Sequence, residues 1–183
     1  MRTLNTYINC LEWNVGVYVY AENPFKTPQY CLSYSLYYFE IICKFEEELD
    51  DFKWLDIGLN NLRTNKGIKF DVSFATISNE KDESFKLSSF IWNNNDIFGC
   101  GLVYPPTNKL NEEFPYVFFT QNGKQIGKAV LVKVNFDSYK PHVLLKCCSV
   151  EANFGNDLET KPFCYDITKH FVIKEFYEDS DVD

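Results

Sequence analysis

Two histidines and seven cysteines are the side chains of this 183-residue sequence that could act as a catalytic base and a nucleophile. His142 follows Pro141 at the start of an apolar run, and His170 lies further along the sequence. Either imidazole could accept a thiol proton and so activate the sulfur. No nucleophile elbow, glycine-rich phosphate loop or metal signature accompanies them. We therefore predict no catalytic residue, and an enzyme using His142 or a cysteine is the least favoured alternative.

The cysteine pattern indicates neither a metal site nor a disulfide framework. Their number is odd, no Cys-x-x-Cys pair occurs, and two histidines leave too few ligands for structural zinc. Most lie inside apolar runs, where a thiol behaves as a small buried hydrophobe. One of the adjacent Cys147 and Cys148 is expected to face the core. We predict reduced, mostly buried cysteines, no metal and no cofactor. The seven are Cys10, Cys31, Cys43, Cys100, Cys147, Cys148 and Cys164.

Reduced thiols favour a cytoplasmic protein, with the nucleus as an alternative location. The first residues do not form a signal peptide, because polar residues interrupt every candidate apolar core. Secretion would therefore require a leader that precedes this chain. The longest apolar-rich stretch, residues 15–21, is far shorter than the roughly 20 residues that span a bilayer, so no membrane segment is predicted.

Sugar recognition has one candidate, Trp92-Asn93-Asn94-Asn95-Asp96. A lectin-like site would use clustered Asp and Asn beside an exposed aromatic ring. Consecutive Asn and Asp residues also favour turns, because their side chains bond nearby backbone groups. The turn is the preferred interpretation, and a carbohydrate-binding module remains the alternative function.

The charge distribution argues against a nucleic-acid partner. The formal net charge is −8, and no basic stripe of the kind that binds nucleic acid is present. The acidic segments 46–51 and 178–183 are predicted to be a solvated loop and a disordered tail. A docking site for a basic peptide is the alternative interpretation of both.

Strands must position all of these residues. Aromatic residues make up 17 % of the sequence, and Tyr and Phe suit a pleated, half-buried surface. Residues 167–177 are the one stretch with the character of a short helix. Apolar and alternating runs bounded by Asn, Pro and Gly predict strands at 15–20, 34–43, 54–59, 70–77, 85–92, 97–104, 116–120, 125–134, 142–148 and 149–154.

The strongest hairpin signal is Asn122-Gly123, because both residues tolerate the positive φ angles of a tight primed turn. Strands at this spacing predict an all-β fold, specifically a two-sheet antiparallel β-sandwich. The sequence has no internal repeat and no low-complexity linker. Residues 1–177 are therefore predicted to form one domain, followed by the acidic tail.

Several stretches resemble motifs of the SPRY family, in the family's order and spacing. Residues 96–101, Asp-Ile-Phe-Gly-Cys-Gly, are similar to its D-V-I-G-C-G strand. Residues 117–129 resemble its F-[FY]-T-K-N-G-x-x-L-G-x-A hairpin, and residues 150–155 match V-x-A-N-F-G. Shorter matches are Tyr37-Tyr38-Phe39-Glu40-Ile41, Ile57-Gly58-Leu59 and Pro141-His142-Val143. The resemblance covers residues 35–167 and is greatest to SPRY domains of the Ran-binding-protein type.

Most of the motif residues are interpreted as structural. Gly99 and Gly101 are expected to let a neighbouring backbone or ring approach closely. Residues 153–155 are expected to form a buried aromatic followed by a turn, with Asn153 bonding backbone groups. Asn95 stands where the family usually has the Gly of a Gly-Asp turn.

The resemblance implies a concanavalin-like jelly roll that binds a peptide or protein through loops at one end of the sandwich. Such a module is non-catalytic, acts as an adaptor and is expected to be a monomer. Phe25 and Tyr30, near prolines, are the expected aromatic anchors unless they fold back on the core. Leu145 and Lys146 are included because several family members carry ligand contacts nearby, although the motif does not match there. The candidate partner-binding residues are Phe25, Lys26, Thr27, Tyr30, Asn61, Arg63, Tyr104, Leu145 and Lys146.

Overall fold

The computed structural model describes residues 6–9, 16–45, 52–107, 113–133 and 138–182. Within these ranges the chain forms thirteen β-strands and two 3-10 helices, Ile167–Lys169 and Asp179–Asp181. The predicted acidic loop at 46–51 and Cys10 lie outside them. The strands are β1 (Thr6–Asn9), β2 (Val17–Tyr20), β3 (Phe25–Lys26), β4 (Ser35–Phe45), β5 (Trp54–Asn61), β6 (Gly67–Asp71), β7 (Thr76–Ser78), β8 (Ser84–Lys86), β9 (Ile97–Tyr104), β10 (Tyr116–Gln121), β11 (Lys124–Leu131), β12 (Ser138–Lys146) and β13 (Cys148–Asn153).

The strands form two stacked sheets, which confirms the predicted β-sandwich. The first sheet has the order β1-β13-β4-β9-β10-β11. The second has the order β2-β12-β5-β6-β7-β8, with β3 pairing β12 on the same side as β2. Every described strand pair is antiparallel.

The main core lies between the sheets and consists of the side chains that alternate inward along each strand. Phe70 of the second sheet lies at its centre, with its ring centroid 6.1 Å from that of Phe98 and 5.9 Å from that of Phe119 on the first sheet. All three are fully buried. The aromatic composition of the sequence is therefore used mainly to fill the space between the sheets.

The outer face of the first sheet carries a second apolar cluster. Its buried members are Tyr38, Val103, Tyr116, Phe118 and Ala129. The chain after β13 crosses this face and covers it with partly buried apolar side chains. These are Phe163, Tyr165, Ile167, Ile173 and Phe176.

Gly99 and Gly101 have the structural role that the sequence predicts. A Cβ atom at Gly99 would overlap the Tyr38 hydroxyl group, and one at Gly101 would overlap the Phe118 ring. The two glycines therefore leave the space that the outer aromatic cluster occupies. Any side chain at either position would displace an aromatic ring from the sheet.

Glu40 is a buried carboxylate that ties the covering segment to the first sheet. It is 4 % exposed. Its Oε2 accepts a hydrogen bond from the Cys164 backbone N–H at 2.8 Å, and its Oε1 accepts from the Tyr165 N–H at 2.8 Å. The Tyr38 hydroxyl group donates to the same Oε1 at 2.9 Å and lies 2.7 Å from Thr120 Oγ1. Three donors thus compensate for the burial of this carboxylate.

Two predicted turns are confirmed by their backbone angles. Asn122 and Gly123 have φ of 49° and 76°, as the primed turn between β10 and β11 requires. Asn95, which replaces the family's glycine, has φ of 67°. Asparagine tolerates this left-handed conformation better than most residues, so the turn survives the replacement.

Three stretches differ from the sequence prediction. Residues 70–77 are not one strand: β6 ends at Asp71, a turn follows, and β7 begins at Thr76. Alternation along the predicted strand 70–77 would place Phe74 on the same face as Phe70, but Phe74 lies in that turn and is 48 % exposed. Residues 85–92 form a strand only up to Lys86, and residues 167–177 contain a 3-10 helix only at their start. Alternation alone could not show that Asp71 accepts the Phe74 N–H and closes a turn.

The acidic residues after Tyr177 also differ from the expectation of a disordered tail. Asp179–Asp181 forms a 3-10 helix, and the Asp181 carboxylate lies 2.9 Å from Lys128 Nζ. This ion pair connects the segment to β11.

Cys147 links β12 to β13, so the chain passes between the two sheets across one residue. It has φ of 54° and is buried. Cys148 packs in the main core, as one of this pair was expected to. Cys147 occupies the corner between sheets rather than a strand position, a location that the predicted continuous strand 142–148 did not indicate.

The burial of the cysteines predicts their reactivity. No disulfide joins the six described cysteines, and Cys43, Cys100, Cys147 and Cys148 are buried. Cys31 is half-buried and Cys164 is exposed, and hydrogen bonding to Ser35 lowers the pKa of the Cys31 thiol. We expect an alkylating reagent to modify Cys31 and Cys164 in the native protein and the other four only after denaturation. Peptide mass spectrometry would show this, and native labelling of Cys100 would contradict the described core.

The Glu40 contacts predict a loss of stability on amide replacement. In Glu40→Gln, the side-chain NH₂ group would face one of the backbone N–H donors, leaving a buried donor without an acceptor. We expect the free energy of unfolding to fall by about 2 kcal/mol. Urea denaturation would measure it, with Glu159→Gln on an exposed turn as the matched control. Equal stabilities of the two variants would show that Glu40 does not hold the covering segment.

Candidate functional site

Several connections between strands meet at one end of the sandwich, which we call the Tyr30 end. The strand registers place them together, because Ser35 lies opposite Tyr104, Ser138 opposite Lys26, and Tyr139 opposite Asn61. The Leu62 N–H donates to the Ser138 carbonyl at 3.2 Å, which brings the second-sheet loops beside β3. The described parts of this end include residues 27–34, 62–66, 79–83 and 105–107.

The loop at 27–34 is fixed to the scaffold at several points. Before it, the Phe25 ring stacks on Tyr37 with centroids 5.0 Å apart, and the Tyr37 hydroxyl group donates to the Lys26 carbonyl at 2.9 Å. Within it, Cys31 and Thr107 exchange hydrogen bonds: the Cys31 N–H donates to Thr107 Oγ1 at 3.1 Å, and the Thr107 N–H donates to the Cys31 carbonyl at 3.0 Å. The loop is therefore held on a rigid frame.

Tyr30 and Leu32 project from this fixed loop. They are 96 % and 83 % exposed, and among the described large apolar residues only Phe171, at 86 %, is comparably exposed. Tyr30 was a sequence candidate, whereas Leu32 was missed. A single Leu between Cys31 and Ser33 gives no periodic signal, so its exposure follows only from the path of the loop.

Asn61 organises the neighbouring loop at 62–66. Its Oδ1 accepts hydrogen bonds from the Arg63 N–H at 2.9 Å and the Thr64 N–H at 3.1 Å. Its Nδ2 donates to Glu80 Oε1 at 3.2 Å, which also accepts from the Tyr139 hydroxyl group at 2.9 Å. Burial raises the pKa of Glu80, and these two hydrogen bonds oppose that effect. Arg63 is thereby presented on a defined turn.

Three of the candidate partner-binding residues are buried, and a fourth lies away from the Tyr30 end. Asn61, Tyr104 and Leu145 are 1 %, 2 % and 0 % exposed, so their side chains are not available to a partner. Tyr104 instead packs edge-on against Tyr37. Lys146 lies opposite Trp54, at the far end of the sandwich from Tyr30. Each of the four lies in a strand whose inward or outward direction the sequence motif did not settle.

Phe25 also folds back on the scaffold, the alternative that the sequence left open. It is partly buried against the main core, near Tyr37 and Phe39. The remaining candidates lie together at the Tyr30 end: Lys26, Tyr30 and Arg63 are exposed, and Thr27 is half-buried. The structure therefore brings a subset of the candidates to one surface and adds Leu32.

A cavity of about 290 Å³ opens beside the loop at 62–66. Its apolar lining consists of Phe85 on β8, Val130 and Leu131 on β11, and Tyr177 from the covering segment. Charged side chains surround it, and several are already paired, including Lys66 with Asp82 and Lys81 with Glu83, both at 3.7 Å. Such an apolar lining with a charged rim suits an apolar side chain of a partner rather than a free ion.

His142 is buried on the outer side of the second sheet, 6 % exposed. It lies opposite Tyr20 on β2 and Gly58 on β5. Its Nδ1 atom has no hydrogen-bond partner among the described residues. Burial lowers the pKa of His142 to about 4, although the Asp56 carboxylate opposes this. At neutral pH His142 is therefore a neutral, buried member of the second sheet.

His170 is held between two tyrosines. Its Nε2 lies 3.0 Å from the Tyr116 hydroxyl group and its Nδ1 2.7 Å from the Tyr165 hydroxyl group. The ring also stacks on Phe118 with centroids 4.6 Å apart. His170 is therefore part of the covering of the first sheet. Both ring nitrogens thus face tyrosine hydroxyl groups rather than a thiol or a carboxylate.

The asparagine-rich stretch at 92–96 forms a turn, as preferred from the sequence. The Asp96 carboxylate accepts hydrogen bonds from the Asn93 N–H, Gln121 Nε2 and Asn122 Nδ2, each at 2.8 Å. These bonds connect the turn to the β10–β11 hairpin and use the carboxylate that a sugar site would need. In the described ranges, no group of three or more His, Cys, Asp or Glu side chains has the arrangement of a metal site.

Across the residues that the structure describes, no helix is long and apolar enough to cross a lipid bilayer.

The burial of His142 predicts a pH-dependent loss of stability. Its pKa is 6.5 in the unfolded chain and about 4 in the folded one, so between these values only the unfolded chain binds the proton. The effect of His142 is absent above pH 6.5. As the pH drops from 6.5 to 4, it lowers the free energy of unfolding by about 3 kcal/mol. Asp71 acts in the opposite direction, because burial and Asp56 raise its pKa to about 6.

Comparison with His142→Phe cancels the contribution of Asp71. Urea unfolding at pH 7, 5.5 and 4 should show the wild type losing about 3 kcal/mol more than the variant. Parallel pH profiles for the two proteins would refute the buried neutral imidazole.

Comparison with known proteins supports the fold. No protein-family model matches the sequence, and no curated protein matches it. Among solved structures, a human SPRY domain is similar over 76 % of this chain and 85 % of its own, with 16 % identity and a TM-score of 0.55. The lectin UEA-II in complex with galactose aligns over 79 % of this chain and 85 % of its own, with 9 % identity and a TM-score of 0.42. The two-sheet arrangement and the first of these similarities together show that this chain has a SPRY-like β-sandwich fold.

Proposed function

We propose that this protein is a non-catalytic module that binds a protein or peptide partner at the Tyr30 end. The SPRY-like β-sandwich is a fold typical of binding modules. The Ran-binding-protein type of SPRY domain, adaptor activity, a monomeric state and a cytoplasmic location are parts of the same proposal. They rest on the sequence motifs and on the reduced cysteines.

The observation that carries the proposal is the exposure of Tyr30 and Leu32 on a fixed loop. Large apolar side chains in water stabilise nothing in the isolated domain, but each contributes free energy when a partner covers it. Phe25 packs on Tyr37 before the loop, and Cys31 is hydrogen-bonded to Thr107 within it. Because these contacts already order the loop, it loses less entropy when it binds a partner. Recognition residues on loops supported by a rigid sandwich are a common arrangement.

The charges around this loop indicate the chemistry of the partner. Lys26 and Arg63 are exposed on neighbouring connections, and Lys66 follows in the same loop as Arg63. A partner that fits has an apolar depression for Tyr30 and Leu32 with carboxylates around it. Ion pairs between these basic side chains and the partner's carboxylates would influence the association rate and the choice of partner more than the affinity.

Site-specific photo-crosslinking tests the location of the interface. A benzophenone amino acid at position 30 should form a covalent adduct with the partner in cells that express the full chain. The same group at position 91 is the matched control, because Ile91 is also apolar and 71 % exposed. A partner captured at both positions, or at 91 alone, would place the interface elsewhere.

Substitutions should then separate the interface from the core. With the captured partner purified, Tyr30→Ala should weaken binding by about 2 kcal/mol, roughly thirtyfold, and leave the melting temperature unchanged. Phe25→Ala and Phe154→Ala should lower the melting temperature instead, because the Phe25 ring packs on Tyr37 and the Phe154 ring lies 5.4 Å from that of Phe39. If Tyr30→Ala destabilises the fold as much as Phe154→Ala, the proposed anchor belongs to the core.

A further inference from the structure

Residues 171–182, which we call the strap, run along the outer edge of β11. Only one residue of β11 pairs with the strap, in a parallel bridge between Ala129 and Phe176. The Ala129 N–H donates to the Glu175 carbonyl at 3.0 Å, and the Tyr177 N–H donates to the Ala129 carbonyl at 2.9 Å. The strap thus adds to the sheet edge as a short extended peptide would.

Two adjacent aromatic side chains of the strap enter different apolar sites. Phe176 packs on the outer face of the first sheet, with its ring 5.6 Å from that of Tyr116. Tyr177 points the other way, into the opening between the sheets, where its ring stacks on Phe85 with centroids 4.4 Å apart. A Cβ atom at Gly127 would overlap the Tyr177 hydroxyl group, so this glycine leaves the room for the ring.

An acidic residue completes the attachment. Both carboxylate oxygens of Asp181 lie 2.9 Å from Lys128 Nζ. Lys133 lines the same cavity as Tyr177 and Glu178. Glu80 and Glu83 also line the cavity, so the attraction for an acidic residue is local to the side of the groove that carries Lys128 and Lys133.

Between His170 and Glu175 the strap is held at Ile173, whose N–H donates to the Tyr116 hydroxyl group at 3.1 Å and whose side chain packs on the outer cluster. Residues 171–175 form neither a strand nor a helix, and Phe171 and Val172 are 86 % and 39 % exposed. Segments with few buried contacts and few backbone hydrogen bonds open locally at a small fraction of the free energy of global unfolding. The strap therefore has the composition and attachment of a docked peptide rather than of a core element.

We propose that the groove between β11 and β8 is a second docking site, occupied by the chain's own strap and open to exchange. It takes an extended segment with two adjacent aromatic residues and a carboxylate four residues after the second. A partner segment of that chemistry binds in trans when the strap is released. This site uses no residue of the loop at 27–34, so it stands independently of the function proposed above.

A peptide-binding experiment with the full chain tests the groove. The probe is a fluorescein-labelled peptide with the sequence of residues 171–183, measured by fluorescence anisotropy. The double variant Phe176→Ala, Tyr177→Ala empties the groove, whereas the control Phe171→Ala, Val172→Ala changes exposed residues of the same strap. Competition with the attached strap reduces the apparent affinity of the wild type by the fraction of time the groove is open. The peptide should bind the emptied variant at least about tenfold more tightly than it binds the wild type or the control.

A second set of measurements varies the peptide and the lysine that would pair with it. A peptide with both aromatics replaced by alanine should not bind, and Lys128→Ala in the emptied variant should weaken binding of the unchanged peptide. Equal binding to all three proteins, or no binding to the emptied variant while it melts cooperatively, would overturn the proposal.

Hydrogen exchange of the wild type covers the case in which the emptied variant does not fold. The Tyr177 and Ala129 amides should exchange by local opening, about a hundredfold faster than the amides of β9 and β10, at a rate insensitive to low denaturant. If both amides exchange only with global unfolding, the strap is a permanent part of the fold and the proposal is wrong.

Discussion

The structure depends on one constraint: both faces of the first sheet are apolar, so both must be covered. The inner face packs against the second sheet, but Tyr38, Tyr116 and Phe118 on the outer face need a separate cover. The chain after β13 supplies it, and the buried Glu40 carboxylate fixes its position through the backbone N–H groups of residues 164 and 165. A buried carboxylate with three donors defines one arrangement of its partners, because any shift would leave a charged group unsatisfied.

The cover has unequal strength along its length. Near Glu40 it is fixed by charge-assisted hydrogen bonds and by the aromatic contacts of Phe163 and Tyr165 with Tyr38. Beyond His170 it depends on the contacts of Ile173, Phe176 and Tyr177, a single bridge residue and one ion pair. The same segment thus completes the fold at one end and resembles an exchangeable ligand at the other. A difference in local contact density, with no separate element, is sufficient to produce both behaviours.

The loop at the Tyr30 end, in contrast to the strap, is held firmly by buried side chains. Its exposed residues are few, and the atoms that hold them are buried: Asn61 fixes the turn before Arg63, and Tyr104 supports Tyr37 beneath the loop at 27–34. Residues that the sequence pointed to as partner contacts therefore support the residues that we propose as contacts. A preorganised loop and a releasable strap are two distinct ways to bind a partner, since the first limits the entropy lost on binding and the second makes binding conditional on release.

The sequence alone determined the sandwich, because alternating aromatic strands, Asn122-Gly123 and the positions of Gly99 and Gly101 are local signals with local causes. It also indicated the loop that carries Tyr30. It could not separate exposed from buried members of that region, since whether Phe25 points to solvent depends on Tyr37, twelve residues later. The turn at Phe74, the sheet crossing at Cys147 and the seat of Tyr177 against Phe85 were decided by the tertiary structure. Each depends on contacts between residues that no periodicity connects, and these contacts form only when the two sheets stack.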